Sequence, residues 1–228
     1  MKLSNKRVLV VVAHTDDETF GCGGFIKKLS KKKNTIGAIS FTDGLGSRSN
    51  FTLKKIEKRK EASINASKIL GFNWLAQYNY PDNELDKVSL LEIVKIIEKH
   101  KKKFKPHIVL THNFSDLNID HRVVANAALT AFRPQPMENC REIRLFEIAS
   151  ATDYGNSAIT GSFAPNLFVD ISNNWDLKKE ALLAYCDEMR DYPHSRSIEG
   201  IKNLAKIRGN QVGLYLAEAF QVIRKLEI

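Results

Sequence analysis

A chain of 228 residues, 43% of them apolar, is long enough for one domain with a substantial core, and residues 1–228 are expected to form it. No run of about 18 apolar residues is present, so no membrane-spanning helix is expected. The basic start Met1–Arg7 meets a short strand without a small-residue cleavage site, which argues against a signal peptide and for a cytoplasmic protein. The net charge of +9 comes largely from lysine runs at 27–33 and 99–105, both at the carboxyl ends of expected helices. Without interleaved aromatics, such runs read as solvated helix ends, and no nucleic-acid partner is expected. Cys22, Cys140 and Cys186 are far apart and form no Cys-x-x-Cys pair, which argues against a zinc finger or a disulfide framework.

Strand and helix signals alternate along the chain. Residues 7–13 are a β-branched and aliphatic run that reads as a strand buried on both faces. A helix follows from Glu18 to about Lys31, with Gly21, Gly23 and Gly24 read as sites of close helix–sheet packing. Thr35–Phe41 is a second strand, residues 42–48 a polar loop, and Leu53–Leu70 a helix stopped by Gly71. Trp74–Tyr78 is a short strand, Pro81-Asp82-Asn83 a loop, and Ser89–Phe104 a helix that Pro106 closes off. The strand His107–Thr111 leads through a loop, residues 112–120, into a helix ending near Arg133-Pro134. Strands are expected near 143–149 and 167–171. Helices are expected over about 175–189 and 197–208, the second resuming as far as Phe220. This order predicts an α/β fold with a mostly parallel sheet and helices on both faces. Trp74, Phe132 and Trp175 fit either a core or an interface of a homo-oligomer.

Chemistry gathers where the first strand ends, in His14-Thr15-Asp16-Asp17-Glu18. Open α/β sheets bind ligands at that edge. His14 and Asp17, three apart at a strand-to-helix turn, can address one ion. Adjacent side chains diverge, so Asp16 is expected beside the ion as a proton acceptor. Catalytic zinc usually takes three protein ligands. The best third candidate is His121, which also follows a buried strand and has Asn118 and Asp120 beside it.

Ala13-His14-Thr15-Asp16-Asp17-Glu18 resembles the Ala-His-Pro-Asp-Asp-Glu signature of the PIG-L/LmbE-like zinc-dependent N-deacetylases. Asn118-Ile119-Asp120-His121 resembles their His-x-Asp-His segment. Thr42-Asp43-Gly44, Arg59-Lys60-Glu61-Ala62, Pro81-Asp82-Asn83 and Ala217-Glu218-Ala219-Phe220 agree in order and spacing. The resemblance implies a Rossmann-like fold, a metal held by His14, Asp17 and His121, and Asp16 as general base. It also implies an N-acetylated amino-sugar substrate, free or linked to a nucleotide, lipid or polysaccharide. Zn2+ is the expected cofactor, and Fe2+ or Co2+ suits the same nitrogen and oxygen donors.

Two positions depart from the family pattern. Thr15 replaces the usual proline, and Asn118 stands where several members have histidine. Asparagine can donate a hydrogen bond to an oxyanion but cannot shuttle a proton at neutral pH. Asp16, Asn118 and Asp120 therefore form the candidate catalytic set. The general acid is open between Asp16 returning its proton, His112 and His194. Asp43, Arg48, Arg59, Asp82 and His194 are the expected substrate contacts. Two alternatives stay open, a zinc amidase on a non-sugar or thiol-glycoside conjugate and a metal-binding homologue without turnover.

Overall fold

The computed structural model of the protein describes residues 4–42, 44–46 and 52–227. Asp43 and Arg48, two of the expected substrate contacts, lie outside the described residues. Among the described residues, seven strands form one sheet: β1 (Arg7–Val12), β2 (Thr35–Thr42), β3 (Asn73–Tyr80), β4 (Ile108–His112), β5 (Glu142–Phe146), β6 (Leu167–Asp170) and β7 (Ala217–Lys225). Their spatial order is β3-β2-β1-β4-β5-β7-β6, with β7 antiparallel to both its neighbours and the β3–β5 block parallel. The strand order reverses between β1 and β4, so a crevice opens at their carboxyl ends.

The central strand is apolar because both its faces are covered. Val8, Val10 and Val12 share a core with residues of α1 (Asp17–Ser30), α2 (Leu53–Leu70) and α6 (Trp175–Ala184), the helix that follows the single-turn α5 (Ser157–Thr160) in the chain. Leu9, Val11 and Ala13 face α3 (Leu90–Phe104) and α4 (Ile119–Ala131). Phe132 and Trp175 are buried in these cores, and Trp74 packs on the first of them. Among the described residues, no helix is long and apolar enough to cross a membrane.

Of the three glycines of α1 expected at close helix–sheet contacts, Gly21 and Gly24 are required by close packing and Gly23 is not, its nearest neighbour being Leu70 of α2 at 3.4 Å from an added Cβ. A Cβ on Gly21 would lie 2.2 Å from the Phe146 ring, and one on Gly24 would lie 2.8 Å from Ile171. The helix is also broken at Cys22, whose backbone is not helical (φ −144°, ψ 20°). A buried ion pair bridges the break. Lys178 donates to the Phe20 carbonyl (2.8 Å), and Glu218 accepts from the Gly24 and Phe25 amides (2.8 and 2.7 Å). Lys178 and Glu218 themselves meet at 2.7 Å.

The chain's end corrects one expectation. The last helix does not resume to Phe220. α7 (Ile198–Asn210) ends, the chain turns through Gly213 (φ 74°), and residues 217–225 form β7. Ala and Glu favour helices locally, but here they line a strand that seals the edge of β5, pairing Phe220 with Phe146. Tertiary pairing overrides propensity. The helix expected over 175–189 likewise stops at Ala184. A 3-10 turn, Cys186–Glu188, follows it.

Candidate metal centre and active site

β1 and β4 deliver two histidine-bearing turns to the same crevice. His14 leaves the end of β1, Asp17 opens α1, and His121 lies in the first turn of α4. All three side chains are buried. His14 Nδ1 lies 3.1 Å from His121 Nε2 and 3.2 Å from Asp17 Oδ2, while His121 Nε2 lies 3.3 Å from Asp17 Oδ1. The far nitrogen of each ring faces carboxylates. His14 Nε2 meets Asp82 Oδ1 (3.2 Å) and Asp120 Oδ2 (3.3 Å), and His121 Nδ1 meets Asp116 Oδ2 (2.9 Å). These partners assign the ring protons to the far nitrogens and turn two lone pairs toward each other.

Facing lone pairs beside a carboxylate repel unless a cation lies among them. Asp17 Oδ1 is buried and accepts no hydrogen bond. Ligand bonds of about 2.1 Å in a tetrahedral site separate donor atoms by about 3.4 Å, close to the separations of His121 Nε2 from His14 Nδ1 and from Asp17 Oδ1, while Asp17 Oδ2 accepts the His14 amide (2.8 Å). Two imidazoles and a carboxylate therefore fit a divalent metal such as Zn2+. The His14, Asp82 and Asp120 group also clusters, but Asp120 already accepts the Asn83 and Leu85 amides (2.8 and 3.0 Å). That second group orients His14.

Electrostatics follow from burial and this crowding. Burial opposes charge on His121, but Asp17 and Asp116 outweigh it and push the imidazole up to about 9. His14 is raised in the same way against burial, by Asp17 with Asp120 and Asp82. Burial works to raise Asp17, yet the three surrounding histidines hold its carboxyl well below the usual range. A divalent cation satisfies the same field. His112 lies behind the site, stacked on His121 with ring centroids 4.0 Å apart, and accepts the Ala13 amide (2.9 Å). Burial and the neighbouring His121 push it down to about 4, so it stays neutral.

Asp16 sits in the turn with φ 145°, a conformation costly for a residue with a Cβ. Its amide donates to Glu18 (3.0 Å), whose carboxyl also accepts the Thr19 and Tyr185 hydroxyls. Burial pushes Glu18 up to about 7. Asp16 is raised by burial against the opposing pull of Arg59 and, more weakly, Arg196. Arg59 Nη2 approaches Asp16 Oδ1 to 3.2 Å, yet that oxygen is buried and accepts no hydrogen bond. Asn118 caps α4, its Oδ1 accepting the Asp120 and His121 amides (2.8 and 3.3 Å). This leaves its Nδ2 as the end able to donate.

A cleft of about 170 Å³ joins His14, Asp16, Arg59, Asp82, Asn118 and Arg196. His194 is not among the residues lining it. Its ring packs near Tyr154, and its Nδ1 accepts the Arg196 amide (3.0 Å). Arg196 lines the cleft instead, from within the turn that the Ser197 amide closes on the His194 carbonyl (2.9 Å). Sequence reasoning missed Arg196, Glu188 and Asp116. An aspartate five residues before a candidate ligand histidine was the one available signal, for Asp116.

Residues 9–132 match the family described as PIG-L, GlcNAc-PI de-N-acetylase. The chain is 32% identical over 140 residues to the uncharacterized deacetylase YaiS of Escherichia coli, covering 58% of this chain and 72% of that protein. It is 28% identical over 191 residues to the diacetylchitobiose deacetylase of Thermococcus kodakarensis, covering 78% of this chain and 68% of that one. The solved N,N'-diacetylchitobiose deacetylase of Pyrococcus horikoshii shares the fold, with a TM-score of 0.75 at 24% identity over 96% of this chain and 84% of that one. With more than half of its length matched and its histidines and acids gathered at the switch point, this protein belongs to the PIG-L family.

Proposed function

We propose that this protein is a metal-dependent hydrolase that removes the acetyl group from the nitrogen of an amino sugar or its conjugate, releasing acetate and a free amine. The observation that carries the reading is the convergence of His14, Asp17 and His121 beside Asp16, a buried carboxylate whose Oδ1 accepts no hydrogen bond. Membership of a de-N-acetylase family and the names of its deacetylase relatives support it. We read residues 1–228 as one catalytic domain acting in the cytoplasm.

His14, Asp17 and His121 would hold Zn2+, with Fe2+ or Co2+ as suitable replacements. Bound there, the cation supplies Lewis acidity, which acidifies water and polarises a carbonyl. The protein's own groups do the rest. Asp16 takes the proton of the attacking water through Oδ1 and returns it to the leaving nitrogen. Asn118 Nδ2 donates to the oxyanion that forms as the carbonyl becomes tetrahedral. Asp120 serves as a positioning residue, holding His14, and Asp116 does the same for His121. Asp82 and Arg59 border the cleft where sugar hydroxyls would lie.

The test measures acetate released from N,N'-diacetylchitobiose, UDP-linked and lipid-linked N-acetylhexosamines, with added Zn2+ and with a chelator. Asp16→Asn should keep the metal and lose about 10²–10⁴-fold in turnover. Near-normal turnover of that variant would remove Asp16 as the base. Metal retention without turnover on any substrate by the unaltered protein would point to a metal-binding protein instead.

A further inference from the structure

Four charged residues from distant segments close a ring around Asp16. Asp16 comes from the turn after β1, Arg59 from α2, Glu188 from the 3-10 turn after α6, and Arg196 from the loop before α7. Asp16 Oδ1 faces Arg59 Nη2 at 3.2 Å, and Asp16 Oδ2 faces Arg196 Nη1 at 3.5 Å. Glu188 Oε1 binds Arg59 Nη1, and Glu188 Oε2 faces Arg196 Nη1 at 3.6 Å. Each carboxylate divides its two oxygens between two guanidinium groups. The ring is neutral in sum, as a buried set of ions must nearly be.

The two arginines are also held from outside the ring. Arg59 Nε donates to Thr15 Oγ1 (3.1 Å), and a Cβ at Gly44 would lie 2.7 Å from Arg59 Nη2. Arg196 Nε donates to Ser150 Oγ (2.7 Å), and its guanidinium lies 4.7 Å from the centre of the Phe20 ring. Arg196 is the member nearest solvent, with 19% of its side chain exposed.

The ring poses a problem that Glu188 solves. Two cations beside one buried carboxylate would draw in and occupy both its oxygens, and a base whose lone pairs are all engaged accepts protons poorly. Yet Asp16 Oδ1 accepts no hydrogen bond, with Arg59 only 3.2 Å away. Arg59 Nη1 donates a hydrogen bond to Glu188, whereas its Nη2 faces Asp16 as an ion pair without one. We propose that Glu188 is a positioning residue that competes with Asp16 for Arg59 and Arg196, keeping the Asp16 carboxylate oriented by ion pairs while its Oδ1 takes no hydrogen bond from them. This rests on the reading of Asp16 as the base.

Removing the competing charge should let the arginines close on Asp16. Glu188→Gln is expected to lower kcat on N,N'-diacetylchitobiose by about tenfold to a hundredfold, with KM and bound Zn2+ little changed. A second substitution separates competition from scaffolding. Glu188→Gln combined with Arg196→Met removes one negative and one positive charge, and should recover at least about fivefold in kcat over Glu188→Gln alone. A purely structural Glu188 makes the double variant as poor as or poorer than the single one, and that result overturns the proposal. Crystals of Zn2+-loaded Glu188→Gln provide a readout independent of turnover. Arg59 hydrogen-bonded to Asp16 Oδ1 supports the proposal, and unchanged Asp16–Arg59 geometry overturns it. If the unaltered protein releases no acetate from any substrate tried, the deacetylase reading fails, while the crystal comparison still decides whether Glu188 competes for the arginines.

Discussion

His14 Nδ1 and His121 Nε2 face each other across 3.1 Å, although 107 residues separate them in the chain. The relationship depends on the opposite side of each ring, where Asp116 fixes His121 and Asp82 with Asp120 fixes His14. Thr152 donates to the same Asp116 oxygen (3.0 Å), so that carboxylate is itself held in place.

Asp116→Asn should therefore weaken the metal site without touching a ligand. An amide still accepts from His121 Nδ1 but no longer adds charge to the ring, and orienting partners of this kind are worth about 10–100-fold in metal affinity. Competition between the protein and a chromophoric chelator for Zn2+ measures this. Unaltered affinity would mean that Asp116 does not set the orientation of His121.

Gly21→Ala and Gly23→Ala should diverge although they lie two residues apart on α1. The new methyl at 21 would sit 2.2 Å from the Phe146 ring, which also packs against His112. The strain should cost about 1–3 kcal/mol in urea unfolding. At 23 the nearest atom would be 3.4 Å away, on Leu70. Alanine there gains up to about 1 kcal/mol of helix propensity, so Gly23→Ala should be neutral or stabilising.

Lys178→Met should be among the most damaging changes far from the cleft. It leaves the Glu218 carboxylate buried without its cation and the Phe20 carbonyl without its donor. Breaking one side of a buried pair costs about 3–5 kcal/mol. Adding Glu218→Gln should restore part of the loss, which equilibrium unfolding of the single and double variants would reveal. Full additivity would refute coupling across the break in α1.

Acidification should loosen the start of β1 through His107. Its Nδ1 accepts the Arg7 amide (3.0 Å), which requires a neutral acceptor nitrogen. Burial, with Arg7, Lys6 and Arg141 nearby, pushes the imidazole below its ordinary 6.5. The unfolded chain then binds more protons than the native one below about pH 6.5, so stability falls as the pH drops through that value. His107→Asn should remove this component from a plot of Tm against pH between 7.5 and 5.5. An unchanged slope would assign it elsewhere.

Features that depend on neighbours along the chain were readable from residue order. Val8–Val12 is apolar at every position because the strand is buried on both faces, and the polar residues, themselves buried, begin where the strand ends at the sheet's carboxyl edge. His14, Asp16 and Asp17 were legible for that reason, and so was His121, one short loop beyond β4. Gly71 stops α2 in the left-handed conformation (φ 84°) that glycine adopts readily.

Features that depend on contacts between distant segments were not readable in this way. Residues 217–220 favour a helix locally and became strand because β5 offered an unpaired edge. His194 was the residue of this loop that the sequence suggested, but Arg196, two residues on, is the one that lines the cleft. Glu188 meets Arg59 across 129 residues, and no spacing rule reaches that far. Local order records backbone preference and periodic burial. Which charges share a buried ring is set when the sheet and its helices close over them, where an unpaired charge is costly enough to select the arrangement.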